Sequence, residues 1–442
     1  MMTIKELYNS KLCPASEAVG HIKSGDYVVV AHACAEPPVL IDAMVENYAA
    51  YEDVKFIHMV SQGEGKQYRP EYRKHFKYEG FFLGAGTRET VACGHSNFIP
   101  AYLHQVPDVF RTGAVPCDVC IVMLSRPDSR GRCFIGVSCD YTVQAMRSAK
   151  IIIAECNDFV PRTPGEDYIH VDELDYIVET SHEVKELPPP AITETEYRIA
   201  EHCASLVRDG ATLQLGIGAI PNAVMGLMKE KKDLGIHSEM ISDWVVDLVG
   251  SGVINGSRKS INKNKIVATF MMGTKKLYDF ADNNKMIELR TSDYVNNPAV
   301  VAKNSNMVSI NGAMEVDLMG QVSAESIGLR QFSGIGGQLD FFRGVAMSAD
   351  GKGIGIVAMP SVAAAKDGTK ISKIVPFLRE GSAVTTPRTD VDYVVTEYGI
   401  AHLKWHTLKD RAKALIKIAH PDFRDELKAE YEKRFCEIFS TI

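Results

Sequence analysis

Glu239 lies in the run Ile236-His237-Ser238-Glu239-Met240-Ile241-Ser242-Asp243 of a 442-residue chain. A carboxylate in such a polar turn could serve as a base, a ligand or a nucleophile. By spacing alone, a solvated surface glutamate is the commoner outcome. About twenty residues earlier stands Leu213-Gln214-Leu215-Gly216-Ile217-Gly218-Ala219-Ile220-Pro221-Asn222-Ala223. It reads as a strand running into a Gly-x-Gly turn and then a helix with Pro221 near its first turn. Glycines there would let backbone N–H groups approach a phosphate or an oxyanion, and a helix N-terminus favours negative charge. A lone Gly-x-Gly is also the ordinary way to join a strand to a helix. One helix plus a loop separates the two segments, which in an α/β fold puts Glu239 near the carboxyl ends of the strands, where ligands bind.

Three more stretches matter. Met314 to Glu325 and Ser333 to Phe341, with the pair Gly336-Gly337, read as glycine-rich loops, and Val394-Val395-Thr396-Glu397-Tyr398-Gly399-Ile400-Ala401-His402-Leu403 as a strand ending in a glycine-containing turn. Alone, each is compatible with a hairpin turn or a strand end. Other patterns point away from metal or redox chemistry. Cys117-Asp118-Val119-Cys120 has no second CxxC and runs into an apolar strand, so buried structural thiols are expected, on opposite faces if the segment is extended. No HExxH surrounds His237, and the thirteen histidines form no cluster at metal spacing. No metal is expected.

The elements that must position these residues are short β-branched runs alternating with helices. Strands are expected at Tyr27–Ala31, Val54–Val60, Val119–Leu124, Ile151–Glu155, Thr212–Leu215, Lys265–Phe270, Met307–Asn311, Gly355–Met359, Ile374–Phe377 and Val391–Thr396. Several are apolar on consecutive residues, which suits strands covered on both faces. Helices are expected at Pro37–Tyr48, Tyr141–Ser148, Glu194–Leu206 and Leu408–Ala419. The fold class is α/β. Pro188-Pro189-Pro190 cannot lie inside a helix or central strand and marks a linker, with an N-terminal domain over 1–187 and a C-terminal domain over 191–442. With 49 basic and 56 acidic residues well mixed, a net charge of −7 and 45% hydrophobic residues, nucleic acid is not an expected partner. No apolar run is long enough for a membrane helix and the N-terminus has no secretory core, so a cytoplasmic protein with reduced thiols is expected.

Taken together and in order, LGIGAIPNAV, HSEMISD, GQVSAES, SGIGGQLDF and TEYGIAHL resemble the acetyl-CoA hydrolase/transferase family. The resemblance is strongest to its 4-hydroxybutyrate and butyryl-CoA:acetate CoA-transferase branch and covers nearly the whole chain, including Gly136 to Thr142 and Asn157 to Gly165. It implies two similar open α/β domains with mostly parallel or mixed sheets and the active site between them. It implies Glu239 as nucleophile, Gly216, Ile217, Gly218, Ala219 and Ile220 as the coenzyme A loop, and further coenzyme A contacts near Met314, Gly336, Gly337 and Lys366. The substrates it implies are acyl-CoA and short-chain carboxylic acids, with coenzyme A itself as the transferred group and no metal. A homodimer or homotetramer is common for such enzymes. An acetyl-CoA hydrolase on the same scaffold, or a CoA-binding protein with impaired activity, are the alternatives. One departure stands out: Trp244 follows Asp243 where the family pattern has glycine. Its indole is expected to narrow the acyl or CoA pocket and to lower activity.

Overall fold

A computed structural model describes residues 2–165 and 168–440. The chain forms two compact units, Met1–Pro188 with Lys265–Val295, and Pro189–Asn264 with Asn296–Ile442. The proline run accounts for one crossing between them. The other two crossings carry no such signal, and they place Lys265–Val295, which a single boundary assigns to the C-terminal half, in the first unit. Within the first unit, Cys139 N–H donates to the Thr269 carbonyl at 2.9 Å and Met271 N–H to that of Val137 at 2.8 Å.

The first unit is built on seven parallel strands: β1 (Tyr27–Val30), β2 (Val54–His58), β3 (Phe76–Gly80), β4 (Asn97–Phe98), β5 (Val119–Leu124), β6 (Ile151–Asn157) and β7 (Tyr176–Thr180), in the order β4-β3-β2-β1-β5-β6-β7. Every residue of β5 is buried, which is why its sequence is apolar without alternation. Val28, Val30, Phe56, Phe76 and Ile121 pack with Leu40 and Met44 of helix α1 (Pro38–Glu46) in the core of this unit.

The second unit carries β8 (Thr212–Leu215), β9 (Gly235–His237), β10 (Met307–Asn311), β11 (Ile354–Ala358), β12 (Tyr393–Thr396) and β13 (Gly399–His402), in the order β9-β8-β10-β11-β12-β13. All these pairs are parallel except the last, which is antiparallel. Helix α2 (Glu194–Leu206) opens the unit, with Thr193 N–H donating to the Glu196 carboxylate at 3.0 Å as a cap. Leu415 and Ile416 of the helix Leu408–Ile418, with Leu427 and Tyr431 of the helix Arg424–Phe435, bury an apolar face in a core with Val357 and Val394. Among the described residues no helix is long and apolar enough to cross a membrane.

Candidate active site

Glu239 sits two residues past the end of β9. Strand β9 is parallel to β8, with Gly235 opposite Thr212 and Ile236 opposite Leu213, so the glycine turn and the Glu239 loop leave adjacent strands at the same carboxyl edge. Ser238 ties the two together. Its hydroxyl accepts from the Leu215 N–H at 3.3 Å and donates to the Leu215 carbonyl at 3.2 Å.

The Glu239 side chain is partly buried. Its Oε2 accepts from the side-chain amide of Asn296 at 3.0 Å. Asn296 is fully buried, and its own Oδ1 has no partner among the described residues. Gly337 completes the group: a Cβ built there would lie 2.1 Å from Glu239 Oε2 and 2.0 Å from Asn296 Nδ2. The φ of Gly337 is −100°, so its glycine is required by proximity and not by backbone conformation. Gly336 before it does adopt positive φ, 54°, and together the pair starts the helix Gln338–Ala346.

The glycine turn has open space beside it. A Cβ at Gly216 or Gly218 would meet nothing within 4 Å. Gly218 has φ +119°, a conformation closed to other residues. It precedes the helix Ala219–Gly226, with Asn222 N–H donating back to the Gly218 carbonyl at 3.2 Å. Ile217 is 46% exposed at the tip. The first N–H groups of such a helix have no intrahelical acceptor and suit an anion.

Other residues singled out in the sequence lie elsewhere in the second unit. Met314 is half-buried after β10, its N–H donating to the Ser323 carbonyl at 2.8 Å. Lys366 is exposed in the turn of the hairpin Val362–Ala364/Lys370–Ser372. Glu397, in the TEYGIAHL segment, leaves β12 and accepts from the Ser361 N–H at 2.9 Å and its hydroxyl at 2.5 Å. Burial pushes the Lys373 ammonium down to about 8 against the opposing pull of Glu397. Asn296, Ser361 and Lys373 carry no signal by residue type: each acts through a partner at least 24 positions away in the chain.

Trp244 is the first residue of the helix Trp244–Gly250, in helical conformation and 9% exposed. No positive φ is demanded there, so the position does not need glycine for its backbone. The indole Nε1–H is buried and has no partner among the described residues. The Cys117 and Cys120 thiols are both buried and unbridged. Cys117 precedes β5 and a bend at Asp118 separates it from the strand, so the segment is not extended throughout. Burial, and then the neighbouring Cys117 thiol, raise the Cys120 thiol well above its usual range.

Open, mostly parallel sheets with a partly buried carboxylate at a strand's carboxyl end define an α/β protein of the kind that binds its ligands on loops at that edge. The chain belongs to the acetyl-CoA hydrolase/transferase family: residues 1–187 match the family's N-terminal domain and residues 273–431 its C-terminal domain. It is 52% identical over 434 residues to the 4-hydroxybutyrate coenzyme A transferase of Clostridium kluyveri, covering 98% of this chain and 100% of that protein. It is 36% identical to the butyryl-CoA:acetate CoA-transferase of Anaerostipes caccae, covering 98% of each. The crystal structure of a 4-hydroxybutyrate CoA-transferase from Porphyromonas gingivalis superposes with a TM-score of 0.83 at 41% identity, over 98% of this chain and 100% of that one.

Proposed function

We propose that this protein is a CoA-transferase that moves coenzyme A between a short-chain acyl-CoA and a carboxylic acid, 4-hydroxybutyrate or butyrate with acetate, through a thioester on Glu239. The observation that supports the reading is the partly buried Glu239 carboxylate at the carboxyl end of its strand, held by Asn296 and closely approached by Gly337. A carboxylate is a modest nucleophile, so partial desolvation and a fixed orientation matter more for it than for a thiolate.

In this reading Glu239 attacks the acyl-CoA carbonyl. The C–S bond breaks, leaving an acyl-glutamyl anhydride and the CoA thiolate. The thiolate then attacks the glutamyl carbonyl, the carboxylate departs, and glutamyl-CoA remains. An incoming acid reverses the two steps. N–H groups at Gly218 and Ala219 are suited to hold the tetrahedral oxyanion, and the glycine turn from Gly216 to Ile220, with Met314, Gly336, Gly337 and Lys366, forms the proposed coenzyme A contacts. The thioester bond energy stays in the enzyme, so the cycle needs no ATP. The ten unbridged cysteines suit a reducing cytoplasm, and a homodimer or homotetramer is the proposed assembly.

The test is direct. Incubation with butyryl-CoA should leave a CoA adduct on the peptide carrying Glu239, and borohydride should then inactivate the enzyme by reducing that thioester. Adding acetate to butyryl-CoA should yield acetyl-CoA; release of free CoA independent of acetate would instead mark a hydrolase. Full transferase activity in Glu239→Gln would overturn the covalent mechanism.

A further inference from the structure

Within the second unit, the motifs GQVSAES and SGIGGQLDF meet on a segment that neither contains. Three of the four residues from Gly334 to Gly337 are glycine, so this loop has much backbone freedom to lose and little of its own to hold it. Yet it runs into the closest approach of the site: a Cβ on Gly337 would lie 2.1 Å from Glu239 Oε2. A loop this free keeps such a contact only if its ends are fastened from outside.

Thr385 and Thr386 hold both ends. At the start, the N–H groups of Phe332 and Ser333 donate to the Glu325 carbonyl at 2.8 and 3.0 Å. The Thr385 hydroxyl donates to Glu325 Oε1 at 3.1 Å and accepts from the Ala324 N–H at 2.9 Å. At the other end, the Gln338 side-chain amide donates to the Thr386 hydroxyl oxygen at 3.2 Å, with both residues buried. Thr386 itself is fixed by its backbone. Its N–H donates to the Val322 carbonyl, and its carbonyl accepts from the Val322 N–H, both at 3.1 Å. That pairing adds it to the small sheet of Glu315–Asp317, Val322–Ser323 and Ile374–Val375, whose Val316, Val322 and Ile374 are fully buried in the core. Gln338 also opens the helix Gln338–Ala346. On that helix a Cβ at Gly344 would fall 2.4 Å from the Val301 Cβ, and Val301 ends the short helix that follows Asn296. The two groups that meet Glu239 therefore belong to elements packed on each other.

We propose that Thr386 is a positioning residue for the transfer reaction: through the Gln338 amide it fixes Gly337 against Glu239, and so sets where the carboxylate stands. This rests on the transferase reading. Without the hydroxyl, the buried Gln338 amide loses its acceptor and turns to find another. The first turn of its helix moves with it, and Gly337 no longer meets the carboxylate at the same place. A reacting group has to be held to within about 0.5 Å, so a small shift is enough to slow the reaction.

The test compares the parent with Thr386→Val, which keeps the shape and loses the hydroxyl, and Thr386→Ser, which keeps the hydroxyl. Gln338→Met and the double variant of Thr386→Val with Gln338→Met complete the set, each checked for folding by circular dichroism. With butyryl-CoA and acetate, Thr386→Val should lose at least about tenfold in kcat with a smaller change in either KM. Thr386→Ser should recover kcat to within about threefold of the parent. The double variant should lose no more than the worse single one, because both changes break one contact. Parent-level kcat in folded Thr386→Val, equal losses in the valine and serine variants, or losses that simply multiply would each overturn the proposal. A second arm does not depend on turnover. Amide hydrogen exchange of the peptide spanning Ser333 to Phe341, read by mass spectrometry, should be about fivefold faster in Thr386→Val and unchanged in Thr386→Ser. Unaltered exchange in folded Thr386→Val would sink the anchor. A parent inactive with every acid, but with this difference in exchange, would keep the anchor and sink the transferase reading alone.

Discussion

The side-chain amide of Asn296 donates to Glu239 Oε2 at 3.0 Å, across 57 positions of sequence. The bond fixes the direction of that carboxylate oxygen. A single hydrogen bond to a charged group contributes about 1.5–3 kcal/mol. Asn296→Ala should therefore lower kcat by about 10- to 100-fold with a smaller change in KM. Steady-state kinetics with butyryl-CoA and acetate check this. Parent-level kcat would show that Glu239 is oriented by something else.

Gly337 makes a sharper demand. Alanine there has an allowed backbone, since φ is −100°, but its Cβ would fall 2.1 Å from the Glu239 oxygen. The side chain must move away, and displacement of a reacting group by about 1 Å costs on the order of 100-fold in rate. Gly337→Ala should stay folded, lose at least that factor in kcat, and fail to form the Glu239–CoA adduct seen by mass spectrometry. Retention of the adduct at the parent rate would contradict the placement.

Lys373 should leave a mark on stability as a function of pH. Its ammonium is depressed by burial from 10.5 to about 8. Between those values the unfolded chain holds the proton and the folded chain does not, so stability contributed by this group rises with pH across that window. Below pH 8 the buried charge carries its full cost, with a ceiling of roughly 3 kcal/mol. Lys373→Met should accordingly be more stable than the parent at pH 7, with the difference shrinking as pH is raised from 8 towards 10. Urea melts at several pH values measure it; a difference that grows with pH would be the wrong sign.

Trp244 fills buried space at the start of the helix that follows the Glu239 loop. Its indole N–H, unpaired among the described residues, costs about 1–3 kcal/mol against that packing. Trp244→Gly should lose about 3–5 kcal/mol of stability through the cavity it leaves, yet show higher turnover and accept longer acids than the parent. Thermal melts and an acid panel from two to eight carbons decide. An unchanged substrate range and rate would remove Trp244 from the pocket.

Much of the scaffold is visible in the amino-acid order. Val119–Leu124, Thr212–Leu215, Met307–Asn311 and the helix Glu194–Leu206 form where the sequence pattern predicts them. Phe76–Gly80 is less legible because two of its five residues face partly outward, and Gly235–His237 is only three residues long, a strand by virtue of its pairing with Thr212–Leu213. The expected strand Lys265–Phe270 divides at Thr269 into Ile266–Ala268 and Phe270–Met271. At the site, the glycine turn is legible because Gly218 has a backbone only glycine adopts freely. Asn296 is not, because an asparagine's role depends on what its amide reaches.

The α/β alternation, the glycine-to-helix turn and, through the order of the motifs, the family are all carried by the amino-acid order. These follow from side-chain period and backbone freedom, which are properties of neighbouring residues. Folding adds the rest: Asn296 and Gly337 converge on Glu239, Ser238 ties its loop to Leu215, residues 265–295 join the first unit, and Glu36 accepts from the donors of Ser61 to Gly63. Those contacts depend on which strands lie side by side and where each ends, and strand order is set by the burial of the whole sheet and not by any local run of residues.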